Sequence, residues 1–359
     1  MAQKVWTTQK TSLTKTHALN LRASPKHTPA FLRWCAIKAF WGCSRANSVT
    51  TIHKLLEAQG KQGVLALGLD RDVVEAASAY MSDEENGLGF IYSGWAQCAL
   101  PHRRLPAHEA WQMSSDRVKL IIQPGIKPIP NTDELEHVGV PFGAHARLIL
   151  LFLQTEAIRT NSREIELGKS LRQWIKRIGI QPSGSSARSV RDQAERISRC
   201  RLSFHIHNNE TGTSALVNQA IVDGALFVSE GGVHSDKSYL EVAKLSEGYF
   251  EQLRKHPVPV QEAAVRAIAN NSAALDIYIW LAYRLHVLNQ KRLVTWGALK
   301  AQFGPSYKEL YHFKAKWQKP LALALAVYPD AKVEVTEEGL ILHQSPPPVK
   351  PRLILRKSI

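Results

Sequence analysis

Cysteine and methionine are scarce in this chain, four and three in 359 residues. Cys35, Cys43, Cys98 and Cys200 form no close CxxC pair, which excludes a zinc knuckle or finger. So few thiols fit a reducing compartment without structural disulfides. Long apolar runs are missing too. Leu148–Leu153 is about one and a half helical turns, and no apolar run comes near a bilayer span. No continuous apolar core follows the N-terminus, so no secretory signal is read there. Nor does the chain show a Ser/His/Asp arrangement or paired carboxylates: Asp223, Asp236 and Asp276 are scattered without spacing that groups them. The expectation is a cytoplasmic protein without enzyme activity, metal or cofactor.

Acid is absent from the first 56 residues, which carry nine Lys and Arg. That composition suits a disordered nucleic-acid arm or an organellar transit peptide, and the arm is favoured because nothing else suggests import. The whole chain has a formal net charge of +15. Charge of that sign favours polyanions, meaning nucleic acid or an anionic membrane surface.

One order of elements appears twice. A mostly apolar helix over Ala144–Ile158 precedes a short strand at Glu164–Leu167 and a helix starting near Gly168. A Ser/Arg-rich helix follows over 185–200, then two strands around the turn Asn208–Gly212. Downstream, a helix over 273–288 precedes a strand at Leu293–Trp296, a helix at Gly297–Phe303 and a basic, aromatic helix from Ser306. The hairpin KVEVTEEGLILH closes that copy. Helix, strand, two helices and a hairpin is the order of the winged helix-turn-helix. The fold class expected is therefore α+β, mainly α: two tandem winged-helix domains after a small α/β N-terminal segment.

Domain boundaries follow from that reading. Residues 1–51 form a disordered leader, 52–138 the N-terminal α/β region, 139–235 the first winged helix and 236–344 the second with its lead-in helices. Residues 345–359 form a proline-rich basic tail. Within this frame, helices are predicted at Ile52–Gln59, Asp70–Ser82, Tyr239–Arg254 and Val260–Asn270, with a linker at 124–143.

The helix at 185–200 carries the chemistry. Val190, Ala194 and Ile197 fall at i, i+4 and i+7 and make one apolar stripe. Arg188, Arg196 and Arg199 are predicted on the opposite face, flanked by Ser185, Ser186, Ser189 and Arg191. Arginine suits bidentate contact with guanine and with phosphate, and short serines allow close approach to the DNA backbone. Lys169, Arg172, Lys176 and Arg177 make the preceding helix basic, and His205 and His207 sit on the expected wing. In the second copy Lys308, His312, Lys314, Lys316 and Lys319 are assigned to phosphate, interleaved with aromatics that pack inside. Pro320 should start a new helix or kink this one.

Two short motifs carry less. Gly168-Lys169-Ser170 resembles the end of a phosphate-binding loop, but Arg163 stands where that loop needs glycine. His205-Ile206-His207 and Tyr311-His-Phe-Lys314 match the spelling of a metal-dependent rolling-circle nickase, with the tyrosine about a hundred residues away on the other copy.

Long stretches carry a family resemblance: GVPFGAHARLILLFLQTEAIRTNSREIELGKSLRQWIKRIGI, RDQAERISRCRLSFH, LSEGYFEQLRKHPVP, AIANNSAALDIYIWLAYRLHVL and LALALAVYPDAKVEVTEEGLILHQSPPPV. Residues from about 52 to 349 resemble the RepA family of plasmid replication initiators from Gram-negative bacteria. The leader and Gln181–Ala187 depart from the family's pattern. The resemblance implies binding of double-stranded DNA at repeated origin sites, opening of adjacent A·T-rich DNA and recruitment of host replication proteins, among them the host initiator and the replicative helicase. It also implies a possible homodimer, as in relatives that repress their own gene. A transcriptional repressor without origin activity and the nickase are the rival readings.

Overall fold

Residues 48–85, 87–115, 118–208, 213–229 and 238–350 are described by the computed structural model. Most of the leader and the last residues of the tail lie outside them, as does the turn at 209–212. In chain order the N-terminal elements are α1 (Ser48–Ala66), α2 (Arg71–Met81), β1 (Leu88–Tyr92), α3 (Ser93–Gln97), β2 (Trp111–Ser114), β3 (Val118–Gln123), β4 (Gly125–Pro128) and β5 (Leu135–Gly139). Then come α4 (Gly143–Thr160), β6 (Glu164–Glu166), α5 (Leu171–Arg177), α6 (Gly184–Arg199), β7 (Arg201–Asn208), β8 (Thr213–Ala220), β9 (Val222–Ser229) and β10 (Ser238–Leu245). The chain continues through α7 (Glu247–Lys255), β11 (Pro257–Gln261), α8 (Glu262–Ala267), α9 (Ser272–Arg284), β12 (Arg292–Thr295), α10 (Trp296–Phe303), α11 (Leu310–Ala326), β13 (Val333–Val335) and β14 (Gly339–Leu342). The fold is α+β.

The expected duplication is visible in strand order as well as element order. In one copy, α4–β6–α5–α6 is completed by a sheet ordered β6-β10-β9. In the other, α9–β12–α10–α11 is completed by a sheet ordered β12-β14-β13. Each time the short strand after the first helix pairs antiparallel with the last strand of the closing hairpin, as in Ile165 opposite Ala243 and Leu293 opposite Ile341.

This corrects the expected wing. The strands around 208–212 do not close the first copy; β7 and β8 join β2 and β3 in a separate four-stranded sheet, and β9 with β10 makes the closing hairpin. A boundary at 235 therefore falls ahead of β10, a strand the first copy requires. Tyr239–Arg254 is likewise strand first and helix second. The break is at Ser246, whose hydroxyl accepts from the Tyr249 amide and starts α7 there. The linker at 124–143 holds the β4–β5 hairpin, and Val260–Asn270 divides into the end of β11 and α8.

Helix starts follow local chemistry. Ser170 accepts from the Gln173 amide and caps α5, so Gly168-Lys169-Ser170 is a helix start. Ser183 and Ser186 cap α6 reciprocally, each hydroxyl bonded to the other residue's amide. Asn271 and Thr295 cap α9 and α10. Such caps each contribute about 1 kcal/mol. Pro320 neither starts a helix nor divides one; α11 runs through it.

The N-terminal segment is woven into both copies. β1 pairs with β11 on one edge, and on the other its amides reach α4: Tyr92 N–H donates to Gln154 Oε1 at 2.6 Å and Phe90 N–H to Thr155 Oγ1 at 2.9 Å. His53 on α1 bonds the Ala326 carbonyl at 2.8 Å. The tail also begins attached. Ser345 is buried and accepts from the Lys332 amide, and the Pro346 carbonyl accepts from the Tyr328 hydroxyl at 2.7 Å.

At the centre, Arg147 of α4 and Asp276 of α9 form a buried two-pronged ion pair, with N–O distances of 2.6 Å for Nε and for Nη2. The remaining guanidinium hydrogens go to the carbonyls of Leu100, Pro101 and Gly143. Beside the pair, His102 bonds Ser272 Oγ and the Phe303 carbonyl.

Burial holds His53, His102 and His145 below the usual imidazole value of 6.5. Each therefore takes up a proton more readily when the chain is unfolded. Their contribution is full above about pH 6.5, declines below that unfolded value, and is lost as pH falls through the lowered folded values. The urea midpoint should drop between pH 7.5 and pH 5.5, before the carboxylates titrate. A midpoint constant over that range would contradict the burial of these three rings.

Candidate nucleic-acid interface

The first copy's α6 meets the rest of the fold through the predicted stripe: Val190, Ala194 and Ile197 are all buried. Burying side chains of this size contributes about 1.5–3 kcal/mol for each large aliphatic. With that face inward, Ser185 and Arg188 are exposed near the helix start, and Arg188 makes no intrachain ion pair or hydrogen bond among the described residues. On α5, Arg172 and Lys176 are exposed and equally uncommitted, and Lys169 is exposed just ahead of the helix. The local sequence arranges this. Leu171, Trp174 and Ile175 bury one side of a short helix, leaving 172 and 176, four apart, on the other.

Several predicted contacts face inward. Arg196 is 1% exposed; its Nε donates to Asp192 at 2.9 Å, Nη1 donates to the Val140 carbonyl at 3.2 Å, and its guanidinium lies over Phe142. Gly139, at φ +83°, leaves the room this guanidinium occupies. Arg196 lies about 100° round the helix from Ile197, well outside the stripe, and is buried because Gly139, Val140 and Phe142 cover that side of α6 as well. Ser186 is buried as the reciprocal cap. Arg177 donates to the Glu166 carbonyl and to Glu156 and covers Phe152. Arg199 is half-buried against Glu195 and the Ile126 carbonyl, Ser189 bonds His145 at 2.7 Å, and Arg191 is half-buried. His205 is exposed, but on the four-stranded sheet; the side chain of His207 lies outside the described residues.

In the second copy Lys308, His312 and Lys316 are exposed. Lys314 is half-buried, donating to the Glu337 carbonyl at 3.1 Å and lying over Trp296. Lys319 is drawn into an ion pair with Asp70 and Asp72 at the start of α2, and the bond to Asp72 holds its ammonium above the usual lysine range. That pair fastens α11 to the N-terminal segment. Phe313 and Trp317 are buried as expected, whereas Tyr311 is 64% exposed at the helix start, its ring tilted against that of His312. A period-four apolar pattern through Leu310, Phe313 and Trp317 leaves Tyr311 outside it, which is the signal sequence reading passed over.

Among the described residues no group of three His, Cys, Asp or Glu is placed to hold a metal ion. None of their helices is long and apolar enough to cross a membrane.

Residues 140–297 match the family model of plasmid encoded RepA protein. That segment is similar to the RepA family. It spans the whole of the first copy and the opening of the second, from α4 to the first turn of α10, so the RepA match includes α5, α6 and both partners of the Arg147–Asp276 pair. No curated protein matches the chain. Among solved structures, domains 2 and 3 of RctB are similar at 13% identity, covering 70% of this chain and 98% of that one with a TM-score of 0.47. A second structure of RctB domains 2-3 is similar at 12% identity, covering 69% and 94%, with a TM-score of 0.41.

Proposed function

We propose that the chain is a plasmid replication initiator whose two copies are winged helices that bind double-stranded DNA at repeated origin sites. The observation that carries this reading is the exposed, uncommitted Arg188 on α6, the second helix of the helix-turn-helix pair, in a unit whose first strand pairs with the last. In winged units that second helix enters the major groove and the hairpin touches flanking backbone. Here the wings are β9–β10 and β13–β14. Arg188 and Ser185 then meet the groove, while Lys169, Arg172 and Lys176 hold phosphates beside it. Lys308, His312 and Lys316 take the same part in the second unit. Two units on one chain raise effective affinity, and the Arg147–Asp276 pair fixes their spacing. Opening of A·T-rich DNA, recruitment of the host initiator and helicase, and dimerisation belong to the same proposal through the RepA family.

The test is binding of the full chain to duplex DNA flanking its own gene, against a scrambled duplex of equal length. A preference of about a thousandfold or more is expected at physiological salt. Arg188→Ala should lower specific affinity about 5- to 150-fold, the worth of one good base contact, and leave scrambled binding nearly unchanged. Equal affinity for the two duplexes would sink the reading.

A further inference from the structure

The four-stranded sheet β2-β3-β7-β8 has one face that the proposed winged units leave unexplained. Its inner face is core: Met113, Leu120, Ile122, Leu202 and Phe204 are buried, with Phe204 edge-on to Tyr92 and Trp95 at 6.0 and 6.5 Å. Strand alternation sends the residues between them outward. Lys119 and His205 sit directly opposite each other in the β3–β7 register, and Arg201 lies four residues before His205 on the same side of β7. All three are exposed, and none makes an intrachain ion pair among the described residues. Around them the same face presents the amides Gln112, Gln123 and Asn218, also exposed. The described residues of this face include no Asp or Glu, and no Phe, Tyr or Trp.

We infer that the outer face of this sheet is a third DNA contact, taking the phosphate backbone of a duplex. Cations and amides without any carboxylate are the side chains that bind phosphate oxygens. Arg201 and His205 lie about 13 Å apart along an extended strand. That distance spans about four phosphates of one DNA strand measured along the axis. The lack of aromatics decides between duplex and single strand. Single-stranded binding draws much of its energy from bases stacked on aromatic rings, and this face offers none. A duplex keeps its bases stacked and shows only backbone to such a surface. The inference rests on the chain binding DNA, and it gives a role to β7 and β8, which the winged units do not need.

Salt titration of the full chain on a 30-bp random duplex tests it, because the slope of log affinity against log salt counts phosphates engaged. Lys119→Gln with Arg201→Gln should lower that slope by about 1.8, at about 0.9 per lost contact. His205→Lys adds a charge to the same row and should raise it by about 0.9. Lys54→Gln with Lys61→Gln removes equal charge from α1 and should leave it unchanged. A wild-type slope in the Lys119/Arg201 variant, or an equal drop in the α1 variant, would overturn the inference while leaving the winged units intact. Loss confined to a 30-mer of oligo(dT), with duplex binding unaltered, would overturn the choice of duplex. No duplex binding by the wild type at all would remove the initiator reading along with it.

Discussion

Asp276→Ala should cost the chain about 3–5 kcal/mol of stability, the largest effect expected of any single substitution here. The carboxylate is 5% exposed and accepts two bonds from Arg147, which is itself 5% exposed. Removing it leaves a guanidinium buried with only carbonyls and the His102 ring around it, and an uncompensated buried charge is far costlier than a missing contact. Replacing both partners by apolar residues of similar volume, Arg147→Met with Asp276→Leu, should recover much of the loss, because the desolvation of both charges then disappears. Urea denaturation of the single and double variants measures this. A loss under about 1 kcal/mol in Asp276→Ala would show that the pair is solvated in solution and does not join the two units. Function should follow stability. The pair links the first helix of one unit to the first helix of the other, so the double variant should fold and yet bind two-site DNA less tightly than wild type. The geometry between the units then rests on apolar packing alone.

That pair also shows what sequence reading could reach. The repeated order of helix, strand, two helices and hairpin was legible because apolar period and cap residues are local properties: Ser170, Ser183, Asn271 and Thr295 each act within three residues of themselves. Which hairpin completes the first unit was not legible. β7–β8 and β9–β10 are both alternating pairs, and the choice is made by β6, a three-residue strand whose partner lies about eighty residues on. Asp276 and Arg147 each lie in an apolar run that marks it as buried, but they are 129 positions apart and nothing local pairs the two. Arg201 and Lys119 escaped notice for the same reason. Their shared face exists only once β3 pairs with β7. On α6 the stripe was correct, but Ser186, Ser189, Arg191 and Arg199 are partly or wholly covered as well, and the largest error was Arg196.

That residue gives the sharpest contrast between a structural and a DNA-facing arginine. Arg196→Ala should destabilise the chain by about 2–3 kcal/mol, since it strips a packed aliphatic stem and leaves the buried Val140 carbonyl without its donor. Arg188→Ala, eight residues earlier on the same helix and exposed, should stay within about 0.5 kcal/mol of wild type. DNA binding should sort the two in the opposite order. Arg188→Ala loses specific affinity with its fold intact. Arg196→Ala keeps its specificity ratio at low temperature and loses binding only as the folded fraction falls. The ratio separates the roles because unfolding lowers specific and nonspecific binding together. If Arg196→Ala lost the ratio at a temperature where it is fully folded, the guanidinium would have to leave its place over Phe142 when DNA arrives. The helix face assigned to the groove would then turn by about 80°, less than a quarter of its circumference, and Arg188 would move from its centre toward its edge.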